Sequence, residues 1–496
     1  MVASLSNMVQ SARDYDSLRT RHHNHCFFIC LNISENSSLT PKLFKLFCLY
    51  PHKRVLYGIS GSSPSHGGRR MKGFRKISIP MIAILFLGLL SSFSPAGAAD
   101  AESAGLSAER LAQLDRAMQA DIDQNKLAGI VFLIARHGTV VHHKAFGMAD
   151  IESGKKMRTD HLVRMYSMTK PITSAALLTL YEEGKFQLTD PLEKYIPAFR
   201  GVKVYAGLDQ NGRMKYEEPR RKITIQDVFR HTAGFIYGGS GNPATLSPVE
   251  KAYVDAGIDF SKLNSLKELV DKLATVPLQY HPGEQWIYSV AHDVQAYLVE
   301  YFSGMPFDRY VQTRIFQPLG MKDAVFGIPK EYVGRYTTCY GPSEDGGLKA
   351  IDKPESSNYA RYTEHPFGGL SLSCTAMDYY LFSQMLLNKG KLGDVRILGR
   401  KTVELMTSNN LPPEIPNLGP MGPGTGYGLG VSVLLNPALE GNLGSVGQFG
   451  WGGAATTHVV IDPVEDMVSI YVTQLMPGDM SFNNRFKTLA YQAIVD

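Results

Sequence analysis

Leu162-Val163-Arg164-Met165-Tyr166-Ser167-Met168-Thr169-Lys170-Pro171-Ile172 is the stretch on which the reading of this 496-residue chain turns. It stands where an irregular segment enters a helix predicted over 168–184. Ile172, Ala175, Ala176, Leu178 and Leu180 recur there at helical spacing, and Gly184 supplies a stop. A spacing of i to i+3 puts Ser167 and Lys170 one turn apart on the same face. A hydroxyl is a poor nucleophile at its free pKa and needs a base beside it. Lysine serves as that base only when neutral, which apolar surroundings favour; Leu162, Val163, Met165, Met168, Pro171 and Ile172 supply them. A helix N-terminus also favours negative charge growing on the serine. Taken alone the pair is a weak signal, because a capping serine followed by an exposed lysine has the same spacing.

Two further segments change its weight. Pro282-Gly283-Glu284-Gln285-Trp286-Ile287-Tyr288-Ser289 sets a tyrosine just before a helix predicted over 291–303. Gly450-Trp451-Gly452-Gly453-Ala454 reads as the opening of a strand, and its glycines permit close backbone approach to a ligand. In this order the three segments resemble the class C β-lactamase and D-alanyl-D-alanine carboxypeptidase superfamily, for which Ser-x-x-Lys is a signature. The resemblance runs through most of the chain. It includes Arg230-His231-Thr232-Ala233-Gly234-Phe235, Gly368-Gly369-Leu370 and Ile461-Asp462-Pro463.

That resemblance implies a serine hydrolase working through an acyl-enzyme, with Ser167, Lys170 and Tyr288 as catalytic residues. It places the oxyanion-hole donors on Ser167 and Ala454, and substrate contacts on Trp451, Gly452 and Gly453. Two departures bear on substrate. Tyr288-Ser289-Val290 stands where many members read Tyr-x-Asn, and Trp451 stands where relatives usually carry Lys or His. Both are similar to family VIII carboxylesterases, so short-chain esters are the expected substrates, with β-lactam cleavage weak or absent. A β-lactamase, a D-Ala-D-Ala carboxypeptidase and an acyltransferase are the alternatives within this chemistry. A catalytically silent binder of the penicillin fold is the alternative outside it.

Composition is that of a soluble globular enzyme, 44% hydrophobic and 20% charged. The net charge of +5 sits at the front. Residues 1–70 carry nine Lys/Arg against three Asp/Glu, and residues 71–99 add three Lys/Arg, so the other 397 residues carry −4. A slightly acidic body offers no footprint for a phosphate backbone, and nucleic acid is not an expected partner. From Met71, the basic Lys72, Arg75 and Lys76 precede the apolar run Met81–Leu90 and the small residues Ala96-Gly97-Ala98-Ala99. This is the layout of a cleaved secretory signal. The run is too short to span a bilayer, which takes ~20 residues. Residues 1–70 are read as an extension absent from the mature protein, and 100–496 as one exported, periplasmic or secreted, hydrolase domain. Cys339 and Cys374, the two cysteines of that domain, are expected to be separate buried thiols.

The fold expected is α+β. An antiparallel sheet is built from both ends of the domain and flanked by helices, with a mostly helical lobe inserted at about 185–365. Strands are predicted at Gly129–Ala135, Val140–Phe146, Gly426–Leu435, Ala454–Asp462 and Met467–Gln474. Helices are predicted after a Ser107 cap, at 265–274, at 376–389 behind a Thr375/Asp378 capping box, and from about Asn484. No serine has Gly at both −2 and +2, which excludes the α/β-hydrolase elbow. A Ser-His-Asp triad could still be assembled from scattered residues such as His292 or His458, although a lone histidine without placed partners is more often structural. No spacing suggests a metal or cofactor.

Overall fold

The computed structural model describes residues 101–238, 245–419 and 422–496. The extension at 1–70 and the leader at 71–99 lie outside the described residues. The main sheet has eight strands: β1 (Gly129–Arg136), β2 (Thr139–Asp150), β3 (Lys155–Lys156), β4 (Thr425–Tyr427), β5 (Ser432–Leu434), β6 (Phe449–Gly453), β7 (Thr457–Asp462) and β8 (Met467–Thr473). Their spatial order is β4-β5-β6-β7-β8-β1-β2-β3, and all neighbours run antiparallel. The sheet is therefore assembled from both ends of the domain, joined where β1 pairs β8 from Ile130↔Thr473 to Arg136↔Met467.

Strand β1 is buried along its whole length. A strand covered on both faces reads as a continuous apolar run, with alternate side chains going to opposite sides. Val131, Leu133 and Ala135 enter the larger core. Ile130, Phe132 and Ile134 enter a second, smaller one. The smaller core is closed by helix α1 (Ala108–Asp123) through Leu111, Leu114 and Met118, and by the last helix through Phe486, Ala490 and Tyr491. The hairpin from β1 to β2 turns at His137 and Gly138, both at positive φ, as a two-residue turn between twisted strands requires.

The larger core holds the helices that carry the site: α2 (Thr169–Glu182), α3 (Ala291–Ser303) and α4 (Ala376–Leu387). The first twelve residues of α2 are buried all round, as befits a helix central to its domain. Its polar side chains are satisfied locally: Thr173 Oγ1 donates to Gly368 O at 2.7 Å and Ser174 Oγ to Gln295 Oε1 of α3 at 2.9 Å. Helix α4 begins on the predicted capping box, Thr375 with Asp378. Between α2 and α4 lie α3, shorter helices and two hairpins, Val204–Leu208 with Met214–Glu217 and Cys339–Pro342 with Leu348–Asp352.

Three sequence expectations are corrected. Gly426–Leu435 is two strands, β4 and β5, because the chain reverses at Gly428–Val431. Gly430 there has φ +95, and a Cβ on it would collide with Ser174 of α2. The Trp451-Gly452-Gly453 motif closes strand β6 instead of opening one. Ala454-Ala455-Thr456 form the turn, Thr456 takes φ +60, and β7 begins at Thr457. The last helix, α5 (Met480–Tyr491), starts ahead of Asn484 because Asp479 caps it, accepting from Ser481 N at 2.8 Å.

Candidate active site

A small second sheet delivers Ser167. Val163–Arg164 pairs with Leu372–Cys374, which in turn pairs with Val325–Phe326. Met165 N donates to Leu372 O at 2.9 Å, and the chain then turns through Tyr166 into a short 3₁₀ segment that runs into α2. Tyr166 has φ +46, uncommon for a side chain of its size. The neighbours hold it there: its ring packs edge-on against Tyr359 at 5.2 Å. Beneath it the fully buried Arg164 pairs with Asp352 at 3.1 Å and donates to Thr337 O at 2.9 Å. Backbone strain thus sits one residue before the serine, a place where strain is often functional.

Lys170 is completely buried. Its Nζ donates to Ser167 Oγ at 3.1 Å and to the carbonyl of Gly369 at 2.7 Å. The same nitrogen lies 4.6 Å from the centroid of the Tyr288 ring and 5.4 Å from that of Tyr237. Neither hydrogen-bond partner carries a formal charge. Gly368 and Gly369 make this approach possible, since a Cβ on Gly368 would collide with the carbonyl of His292.

Tyr288 stands at the entry to α3, among aromatic rings. His231 lies 5.0 Å from it, Tyr237 5.4 Å, Trp451 5.6 Å and Trp286 6.2 Å, centroid to centroid. Trp451 Nε1 donates to Tyr288 Oη at 3.4 Å, which ties the second motif to the third. The backbone N–H of Ser289 points at His231 Nδ1 at 3.2 Å, so Nδ1 accepts and the ring proton is on Nε2. Burial, then Lys170, pushes His231 well below the usual histidine value; the same two causes act on His292 together with His231 itself. Both rings are therefore neutral. His458 is likewise pushed down, to about 4, by burial.

The end of β6 runs against the serine segment. A Cβ on Gly453 would collide with the carbonyl oxygen of Met165 and with Thr457 Oγ1, and Ala454 follows directly. Trp451 is half-buried and stacks edge-on against Tyr427 at 5.2 Å. Trp451 and Trp286 also cover a small apolar cluster of Leu411, Ile415, Leu418 and Tyr427, separate from both main cores. The structure thus brings together Ser167, Lys170, Tyr288 and Trp451, with Gly452, Gly453 and Ala454 along the neighbouring strand end.

A profile of the beta-lactamase family matches residues 114–493. The chain belongs to the beta-lactamase family. Among its relatives, esterase EstB of Burkholderia gladioli is 30% identical over 360 residues, covering 69% of this chain and 84% of the esterase. A putative D-alanyl-D-alanine carboxypeptidase of Escherichia coli strain K12 is 28% identical, covering 75% and 84%. In structure the chain is similar to EstCE1, a hydrolase with promiscuous acyltransferase activity, at TM-score 0.65 and 26% identity, covering 78% of this chain and 99% of that one. This beta-lactamase-family protein is a serine hydrolase of mixed helices and antiparallel sheet.

Two neighbours of Lys170 escaped the sequence. Asp293, in the first turn of α3, reads as an ordinary acidic residue at a helix start, yet it is fully buried and accepts from Gly369 N at 2.8 Å. Tyr237 lies in a loop with no periodicity. Burial, then Tyr288, pushes its phenol well above the usual range. Cys339 and Cys374 are both free and buried, as expected; burial pushes Cys339 up to about 12. Among the described residues no group of three or more His, Cys, Asp or Glu could hold a metal ion, and no helix is long and apolar enough to cross a membrane.

Proposed function

We propose that this protein hydrolyses neutral, short-chain carboxylic esters through an acyl-enzyme on Ser167. The observation that carries the reading is the buried Lys170 Nζ, 3.1 Å from Ser167 Oγ. Lys170 takes the proton of Ser167 as Oγ attacks the ester carbonyl carbon and the carbonyl π pair moves to oxygen. The N–H groups of Ser167 and Ala454 receive that oxyanion. Collapse breaks the bond to the alcohol, which leaves with a proton delivered from the Lys170–Tyr288 pair. Water then repeats the sequence on the acyl-enzyme and releases the acid.

Preference for esters rests on Trp451. An indole that donates to Tyr288 and roofs an apolar cluster supports a neutral, apolar group there. A substrate carboxylate would find no cation on Trp451. The esterase relative supports the same reading. Acyl transfer to an alcohol is the second reading, favoured by the likeness to EstCE1 and its acyltransferase activity. We also read residues 71–99 as a cleaved signal, with the mature chain starting near Ala99 or Asp100 and working outside the cytoplasm.

Fluorophosphonate labelling followed by peptide mapping tests the nucleophile: the adduct is expected on Ser167, and label elsewhere overturns the mechanism. Kinetics on p-nitrophenyl esters beside nitrocefin and a D-Ala-D-Ala peptide test the substrate class. N-terminal sequencing of the protein from its native host tests export, and a chain retaining residues before Met71 would refute it.

A further inference from the structure

The carboxylate of Asp293 is held beside Lys170 by the backbone of a single glycine. Gly369 offers its carbonyl to Lys170 Nζ at 2.7 Å and its N–H to Asp293 Oδ1 at 2.8 Å. Asp293 is fully buried, and its second oxygen, Oδ2, has no hydrogen-bond partner. A Cβ on Gly369 would lie 2.9 Å from that oxygen and 3.2 Å from Tyr237 Oη, so only a glycine leaves the carboxylate this close to the lysine's own partner. Besides a contact with its own backbone N–H, the Asp293 carboxylate reaches out of the helix to the loop that binds Lys170.

We propose that Asp293 is a positioning residue whose carboxylate is the counter-charge for Lys170 when Lys170 takes the proton of Ser167. The inference rests on the reading of Ser167 as nucleophile and Lys170 as its base. That proton transfer creates an ammonium on a side chain that is fully buried. A fixed negative charge nearby stabilises the cation as it forms, without reorganisation at the moment of reaction. The cost is borne beforehand: burial raises Asp293 to about 7 even though the nearby Lys170 works to lower it. The other titratable groups facing Asp293 are Tyr237, from the loop after the Arg230–Phe235 turn, and Tyr362, from the 3₁₀ segment Asn358–Thr363. Both are phenols pushed upward by burial and neutral near pH 7, and His292, next to Asp293 on α3, is neutral as well. Lys170 is thus the one group among these neighbours that becomes a cation when it takes the proton. Because the working form is the carboxylate, Ser167 acylation falls as pH drops through Asp293's titration.

The test is the rate constant for fluorophosphonate labelling of the full chain between pH 5 and 9, in wild type, Asp293→Asn and Asp293→Glu, with thermal melting of each at pH 8. The wild-type rate is expected to fall on the acid side of about pH 7. Asp293→Asn should lower it by about 10–100-fold, less than a direct proton-transfer group contributes, and flatten the acid limb. Asp293→Glu should restore part of the rate and the limb. An aspartate whose folded pKa is raised destabilises the fold as pH rises through that value, so Asp293→Asn should melt at the same or a higher temperature at pH 8. A structural role would instead lower both melting temperature and rate. Equal rate and an unchanged acid limb in Asp293→Asn overturn the proposal, as does a wild-type profile with no acid limb if the variant fails to fold. Absence of any label on Ser167 in the wild type would instead refute the underlying mechanism.

Discussion

On one side of Ser167 stand Lys170, Gly369 and Asp293, buried and joined through hydrogen bonds of 2.7–3.1 Å. On the other stand Trp286, Tyr427 and Trp451, half-buried or buried rings, with Tyr427 packed 5.6 Å from Trp286 and edge-on at 5.2 Å from Trp451, and with Tyr288 between the two sides. The first side is built from groups whose charge and direction matter to within a fraction of an ångström. The second offers area, and a ring accepts many apolar groups at similar cost. The contrast teaches that substitutions on the polar side should act on turnover, while those on the aromatic side should redistribute preference among substrates.

The most severe way to break that division is Ser167→Ala, expected to abolish acyl-enzyme formation, read by mass spectrometry of the labelled protein. Lys170→Ala and Tyr288→Phe should each lower kcat on p-nitrophenyl acetate by about 10²–10⁴-fold with little change in KM. A KM effect in place of a kcat effect would move Tyr288 to the aromatic side.

A fourth substitution tests the loop that touches both sides. Asp227 is fully buried and accepts from Arg221 at 2.5 Å, Arg230 at 3.0 Å and Thr232 at 2.8 Å, fixing the turn that carries His231. Asp227→Ala leaves those cations unpaired and should cost about 3–5 kcal/mol in urea unfolding. Burial works to raise Asp227, but Arg221 and Thr224 override it and hold the carboxyl below its usual range. Its contribution is therefore present above the unfolded value, ~4, and is lost as pH falls through the lower folded value. Wild-type stability should decline on that acid side, and the variant should decline less.

The smallest effect is on the aromatic side. Trp451→Lys should lower activity on neutral short-chain esters several-fold and raise the ratio of nitrocefin to ester turnover. An unchanged ratio would leave Trp451 as packing beneath Tyr288 and remove the reason for ranking esters first.

Much of this was legible before any coordinates. Ser167 and Lys170 lie within one turn of a helix, so their proximity follows from spacing alone. Tyr288 and Trp451 were legible as motifs, though what joins them is a contact between residues 163 positions apart. The sheet built from both ends followed from where the apolar runs and strand-forming segments fell. Asp293 was not legible: its role depends on a loop from residue 369 crossing the start of α3, and nothing local marks that crossing. The hairpin within 426–435 is unmarked for a similar reason: Gly430 makes the turn at φ +95 and also serves the close approach to Ser174 of α2, a contact that nothing local announces.

The pairing of β1 with β8 has a consequence for how the chain is born. Arg136 and Met467 are register partners, so the centre of the sheet cannot close until residue 467 has left the ribosome. At roughly 5–20 residues per second, the intervening synthesis takes on the order of 15–65 s. Through that interval β1, buried along its whole length in the finished fold, has an open edge where β8 will pair. Pairings so distant in sequence also slow folding after synthesis. The nascent protein therefore lacks its central strand pairing throughout that interval.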